Sequence, residues 1–228
     1  MLEYDALSGY PSPNQPRYVH PNLRTIHNRI IASYRDKEFY DGDRDNGYGG
    51  YKDDGRWGPI AQNMLQRYSL DNQSSVLHVG CDKGFLLHEF AQIRPSITLR
   101  GVEISDYAIA STKPSIRPLV SKASFTELPF KESRFDFVIA IGVVYSLNLR
   151  DAIKCLNEIQ RVGTGKSFIT LAAYETEEDL RLFRYWTLLG CTILKRTDWV
   201  EVLKHVGYTG DYKFITAQSL NLLEKSEP

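Results

Sequence analysis

Short apolar runs set off by turn residues, alternating with stretches of helical period, organise the chain from residue 75 onward. Ser75-Val76-Leu77-His78-Val79 predicts a buried strand. It empties into the glycine-bearing turn Gly80-Cys81-Asp82-Lys83-Gly84, which opens a helix over roughly Phe85 to Gln92. Ile97 to Ile104 predicts a second strand. Residues 123–130 form a turn segment, and Phe135 to Gly142 reads as a fully buried strand. Leu149, Ala152, Ile153, Leu156 and Ile159 recur at helical spacing, ended by Gly163, and Ser167 to Ala173 reads as a further strand. Thr176 to about Leu189 is expected to be helical, with Phe183, Trp186 and Leu189 apolar. Thr197 is a candidate cap for a helix through Trp199, Leu203 and Val206 that stops at Gly207, and Thr209 to Leu220 supplies two last strands. Strand alternating with helix is the pattern of an α/β sheet.

The first seventy residues carry no strand signal. Pro11, Pro13, Pro16 and Pro21 predict an extended start. Asn22 is a candidate cap for a helix through Ile26, Ile30 and Ile31 to about Tyr34, and Pro59 to Tyr68 predicts a second helix. The expected organisation is an arm and lid over 1–70 packed on a domain over 71–228.

The turn after the first buried strand is where α/β sheets hold nucleotide-like ligands. Gly80 permits a sharp bend, and Gly84 lets the following helix approach with its amides outward. Glu103 ends the second strand 23 positions after Gly80, a spacing suited to a carboxylate that grips ribose hydroxyls. The segment G-C-D-K-G lacks the third glycine of the dinucleotide fingerprint, which argues against a nicotinamide dehydrogenase.

With Ala123-Ser124-Phe125-Thr126-Glu127-Leu128-Pro129-Phe130 following, the series from Ser75 to Val162 resembles the class I S-adenosylmethionine-dependent methyltransferases. The resemblance implies a Rossmann-like, mostly parallel seven-stranded sheet with an antiparallel edge pair and an N-terminal helical arm. It implies that Gly80 and Gly84 cradle the methionine part of S-adenosylmethionine, that Glu103 binds the ribose, and that Ser124 and Phe125 face the adenine. His78, Cys81, Asp82, Ile104 and Ile141 complete the implied cofactor set. Three positions depart from the family pattern: His78 replaces the usual acid of the first strand, Asp82 the central glycine, and Ser124 the adenine-facing acid. Asp tolerates left-handed backbone, but its carboxylate would repel the cofactor's own unless Lys83 offsets it, or unless both side chains point to solvent.

Between the two arm helices lies a segment rich in glycine and tyrosine, from Phe39 to Trp57. Its D-G-D-R-D-N-G start looks like a calcium loop, but Asn46 and Lys52 stand where a glycine and a bidentate glutamate are needed, so no metal is expected. A lid fits better, with Tyr48 and Tyr51 contacting substrate and Arg44 or Arg56 clamping an anion. Y-D-G-D-R-D-N-G-Y-G-G-Y, together with L-N-E-I-Q-R-V-G-T-G-K-S-F-I-T and V-G-Y-T-G-D-Y, is similar to a little-characterised bacterial group of methyltransferases.

Composition narrows the partners. Lys plus Arg and Asp plus Glu number 28 each in 228 residues, so no net charge attracts nucleic acid, and a small-molecule methyl acceptor is expected. No apolar run approaches a membrane span, and the N-terminus lacks the features of a signal peptide. Cys81, Cys155 and Cys191 lack metal-ligand spacing and read as reduced packing residues, consistent with a cytoplasmic enzyme. Methyl transfer needs chiefly alignment. Tyr145, after the fourth strand, is the catalytic candidate, to orient or deprotonate the acceptor, with His20, His27 and His205 as alternative bases. The expected function is methylation of a small polar metabolite, with a non-catalytic relative working through protein contacts as the alternative. Oligomeric state is open. Trp186 and Trp199 are expected in the core.

Overall fold

A computed structural model describes residues 1–11 and 15–225; Pro13 lies outside the described residues. The strands are β1 (Leu2–Glu3), β2 (Arg17–Val19), β3 (Ser75–Val79), β4 (Thr98–Glu103), β5 (Val120–Lys122), β6 (Phe137–Ala140), β7 (Ser167–Tyr174), β8 (Leu194–Lys195), β9 (Asp211–Ile215) and β10 (Leu222–Glu224). The helices are α1 (Ile26–Ser33), α2 (Lys37–Asp41), α3 (Gly58–Arg67), α4 (Phe85–Ile93), α5 (Asp106–Ala110), α6 (Leu149–Val162), α7 (Glu177–Trp186) and α8 (Arg196–His205).

The main sheet runs β1-β9-β7-β6-β3-β4-β5, with β8 beside the end of β7, and β2 pairs with β10 separately. Strands β3, β6 and β7 are buried along almost their whole length, as their unbroken apolar runs require. Side chains alternate between two cores. Val76, Phe137, Ile139 and Phe168 pack with α3, α4 and arm residues such as Tyr40 and Trp57, whereas Leu77, Val79, Val138 and Ile169 pack with α6 and α8. The order of the chain reverses at β3, leaving a crevice at the carboxyl ends of β3 and β6, the switch point where such sheets bind ligands.

The fold class is as expected, but the sheet edge is not antiparallel. Strand β9 pairs with β7 in parallel, Phe168 opposite Asp211, and β1 pairs with β9 in parallel. The chain between β7 and β9 contains both α7 and α8, enough to return it to the same end of the sheet. Residues after β9 make no hairpin. Thr216 and Ser219 bond to each other in a turn, and the chain leaves for β10 beside β2.

Three helices differ in detail from expectation. Helix α1 is capped by Thr25 in a reciprocal box with Asn28, not by Asn22. Its apolar stripe faces outward, Ile26 being 74% exposed. The helix is held instead through Arg29, whose guanidinium donates to the carbonyls of Thr187 (2.6 Å) and Arg184 (2.8 Å) at the end of α7. Helix α8 begins at Arg196 without a side-chain cap, so Thr197 lies inside it. Helix α7 ends at Trp186, short of Leu189. Strands β1, β2, β5, β8 and β10 and helices α2 and α5 have no counterpart in the sequence pattern; each is five residues or fewer.

Candidate functional site

The turn after β3 is left-handed at alternate residues, Gly80 (φ 68°), Asp82 (φ 49°) and Gly84 (φ 72°). At Gly80 the requirement is also steric, since an added Cβ would sit 2.2 Å from Val143 Cγ2. Gly84 is the N-cap of α4, and the Gly80 and Cys81 amides donate to the Val102 carbonyl of β4. Glu103 is buried at the end of β4. Its Oε2 accepts from the Asp82 amide (2.9 Å), and its Oε1 from the amides of Ile104 (2.8 Å) and Ser105 (3.0 Å). It therefore clamps the turn to its neighbour, using most of a carboxylate's roughly four acceptor positions.

The arm lies directly on this turn. Asp82 accepts from the hydroxyls of Tyr40 (2.8 Å) and Tyr48 (3.3 Å), and Lys83 is buried with its Nζ 2.6 Å from Asp41 and 3.0 Å from the Tyr51 carbonyl. Tyr107 donates to Asp41 as well (2.6 Å). Neither Asp82 nor Lys83 points freely to solvent, and Lys83 does not offset Asp82, because its charge is spent on Asp41. Burial and the nearby Glu103 raise Asp82 well above the usual carboxylate range. Arg35 crosses the crevice: its carbonyl accepts from Ser105 after β4, and its guanidinium reaches Ser146 Oγ after β6 (3.3 Å).

A cavity of about 790 Å³ opens between arm and sheet at this end. It brings together His78, Gly80, Cys81, Asp82, Ile141 and Tyr145 from the sheet side with Tyr48, Tyr51 and Arg56 from the arm. Gly84, Glu103, Ile104, Ser124 and Phe125 do not line it. Gly84 and Phe125 are buried, and the Ser124 hydroxyl bonds Thr126 (2.9 Å) in an exposed turn. His20, His27 and His205 are not in its wall either.

The buried His78 imidazole has no hydrogen-bond partner on either nitrogen among the described residues, and burial lowers it to about 3, so it is neutral. Burial raises the Tyr145 phenol, making it a donor rather than a base at neutral pH. Burial, then Glu103, raise the Cys81 thiol. Arg56 is not a free clamp: it pairs with Asp54 and donates to the Tyr10 hydroxyl (3.3 Å).

The cavity's far wall is made by Arg17, Arg24, Arg35 and Arg44 with Trp186; of these, sequence reasoning singled out Arg44 as an anion clamp and missed the rest. These come from segments with no shared motif, so nothing in linear order pairs them. Trp199 is in the core as expected, its Nε1 donating to Ala172 (2.7 Å), but Trp186 faces the cavity, and Cys191 is exposed. All three cysteines are free. Among the described residues no group of side chains has the arrangement of a metal site, and no helix is long and apolar enough to cross a membrane.

Residues 77–169 match a protein family described as a methyltransferase domain. Solved structures with a similar fold include the YcgJ protein from Bacillus subtilis, with a TM-score of 0.53 and 16% identity over 64% of this chain and 66% of that one. The BH2331 protein from Bacillus halodurans C-125, provisionally assigned as a methyltransferase, gives 0.52 and 17% over 64% and 68%. The [4+2]-cyclase SpnF gives 0.52 and 16% over 89% of this chain and 66% of its own. The chain thus spans just under two thirds of YcgJ and SpnF. No curated protein matches it.

Proposed function

We propose, from the match of residues 77–169 to a methyltransferase-domain family and a fold shared with YcgJ, that the protein is an S-adenosylmethionine-dependent methyltransferase acting on a small polar metabolite. The observation that carries this reading is the left-handed Gly80–Gly84 turn at the sheet's switch point, opening onto a cavity large enough for a cofactor portion and a small acceptor. A nucleic-acid or membrane partner is not part of the reading, and the three free cysteines suit a cytoplasmic setting.

The residues fit the cofactor best at its amino-acid end. Gly80 lets the turn lie against Val143, where a side chain would clash, and His78 offers two unused nitrogens. Glu103 would meet the ribose with whatever acceptor capacity the backbone amides leave, and Ile104, Ser124, Phe125 and Ile141 would flank the adenine. When bound, S-adenosylmethionine supplies a methyl group activated by its sulfonium. The chain's part is to orient the acceptor and exclude water: Tyr145 donates a hydrogen bond to the acceptor, and the rings of Tyr48 and Tyr51, stacked at 4.5 Å, wall it in. Arg35, spanning the ends of β4 and β6, must shift for one ligand to touch both Glu103 and the cavity.

That same span favours a second reading, a methyltransferase-like protein that takes no cofactor. Calorimetric titration with S-adenosylmethionine, S-adenosylhomocysteine and NAD separates the two. Saturable binding of the first two but not NAD is expected; binding of none supports the second reading.

A further inference from the structure

The far wall of the cavity, of which the sequence pointed only to Arg44, is strongly basic. Arg17 on β2, Arg24 before α1 and Arg44 after α2 each place a guanidinium carbon over the Trp186 ring, at 4.9, 5.2 and 5.2 Å from its centre. Any two of these cations therefore lie within about 10 Å of each other. Arg24 is only 5% exposed, and its Nε has no partner. Its one ion-pair contact among the described residues is to Asp45 at 3.8 Å, a loose one. The Arg17 guanidinium makes no hydrogen bond or ion pair among the described residues, and that of Arg44 reaches only the Gly47 carbonyl. Burial lowers all three, and the Arg44 charge lowers Arg17 and Arg24 further, an effect that Asp45 opposes at Arg24 and Arg44.

We propose that Arg17, Arg24 and Arg44, gathered around Trp186, form a recognition site for a doubly charged oxyanion, a phosphate ester or a dicarboxylate, borne by a small molecule that occupies this cavity. Planar guanidinium forks match the oxygens of both groups, and an anion set among three of them removes the repulsion that the folded chain otherwise retains. Calling that molecule the methyl acceptor rests on the methyltransferase reading; the anion site itself does not.

The test is calorimetric titration of the full chain with inorganic phosphate and with malonate, at ionic strength held constant with chloride, alongside S-adenosylhomocysteine. At least one anion should bind saturably at one site, and Arg17→Gln and Arg44→Gln should each weaken it tenfold or more, with S-adenosylhomocysteine affinity changed less than threefold. Arg17→Gln removes no side-chain hydrogen bond among the described residues and relieves repulsion from Arg44, so folding is preserved, and a melting temperature no lower than the parent's verifies this. The proposal is overturned if neither anion saturates, if both variants bind like the parent, or if only an oligonucleotide competes for the site. Anion binding that the variants lose, in a protein that does not bind S-adenosylhomocysteine, overturns the methyltransferase reading and leaves the site standing. Cofactor binding without anion binding does the reverse.

Discussion

Two titratable side chains at the end of β3 act in opposite directions. His78 is held neutral in the fold, so unfolding takes up a proton below about pH 6.5, its ordinary value. It therefore costs stability as pH falls from there toward 3. Asp82 is raised, so the folded chain holds a proton that the unfolded chain has lost, and stability falls as pH rises from about 4 into the neutral range. Denaturation monitored across pH should show Asp82→Asn flattening the loss on the alkaline side and His78→Leu flattening the loss on the acid side; unchanged profiles would mean that neither group is perturbed. His78→Leu is also expected to weaken S-adenosylhomocysteine by about 1 kcal/mol, the worth of one neutral hydrogen bond, in a calorimetric titration. Glu103 has a structural duty as well as a proposed ligand. Glu103→Ala would strand three amides, that of the buried Ser105 among them, so a loss of roughly 1–3 kcal/mol in chemical denaturation is expected whether or not cofactor binds.

Among the elements, the arm is bound to the sheet through Asp41. Hydrogen bonds from Lys83 and Tyr107 hold its carboxyl below the usual range even though burial acts the other way. The stability this gives is present above the ordinary pKa near 4 and lost as pH falls further. Asp41→Asn leaves the buried Lys83 ammonium without its charge partner, which should cost roughly 3 kcal/mol. The segment expected to be a mobile lid is tied down elsewhere too: the Tyr48 amide donates to Phe39, and those of Gly50 and Tyr51 to Tyr40. Hydrogen exchange should find these amides protected in the parent without added ligand and released in Asp41→Asn. Fast exchange in the parent would restore the mobile lid. The sequence marked this segment as special because its rings are costly to leave in water. Its anchor was not legible, because Asp41 and Lys83 are 42 residues apart and belong to no shared motif.

At the scale of the whole molecule, arm and sheet share one hydrophobic core, and the N-terminal residues add an edge strand beside β9. A ligand that binds only the folded chain should stabilise all of it, by about 2.7 kcal/mol at a hundred times its dissociation constant. A melting transition that splits on adding S-adenosylhomocysteine would mean that arm and sheet unfold separately. By itself the sequence determined the α/β class, the buried strands β3, β6 and β7, and the Gly80–Gly84 turn, because each follows from local apolar period and from backbone that only glycine adopts without strain. Tertiary structure alone decided the parallel edge and the use of Glu103's oxygens on backbone amides. It also decided the basic wall around Trp186 and the partner of Lys83. Each depends on which distant segments meet, and linear order carries no record of charges and hydrogen-bond partners that only folding brings within reach.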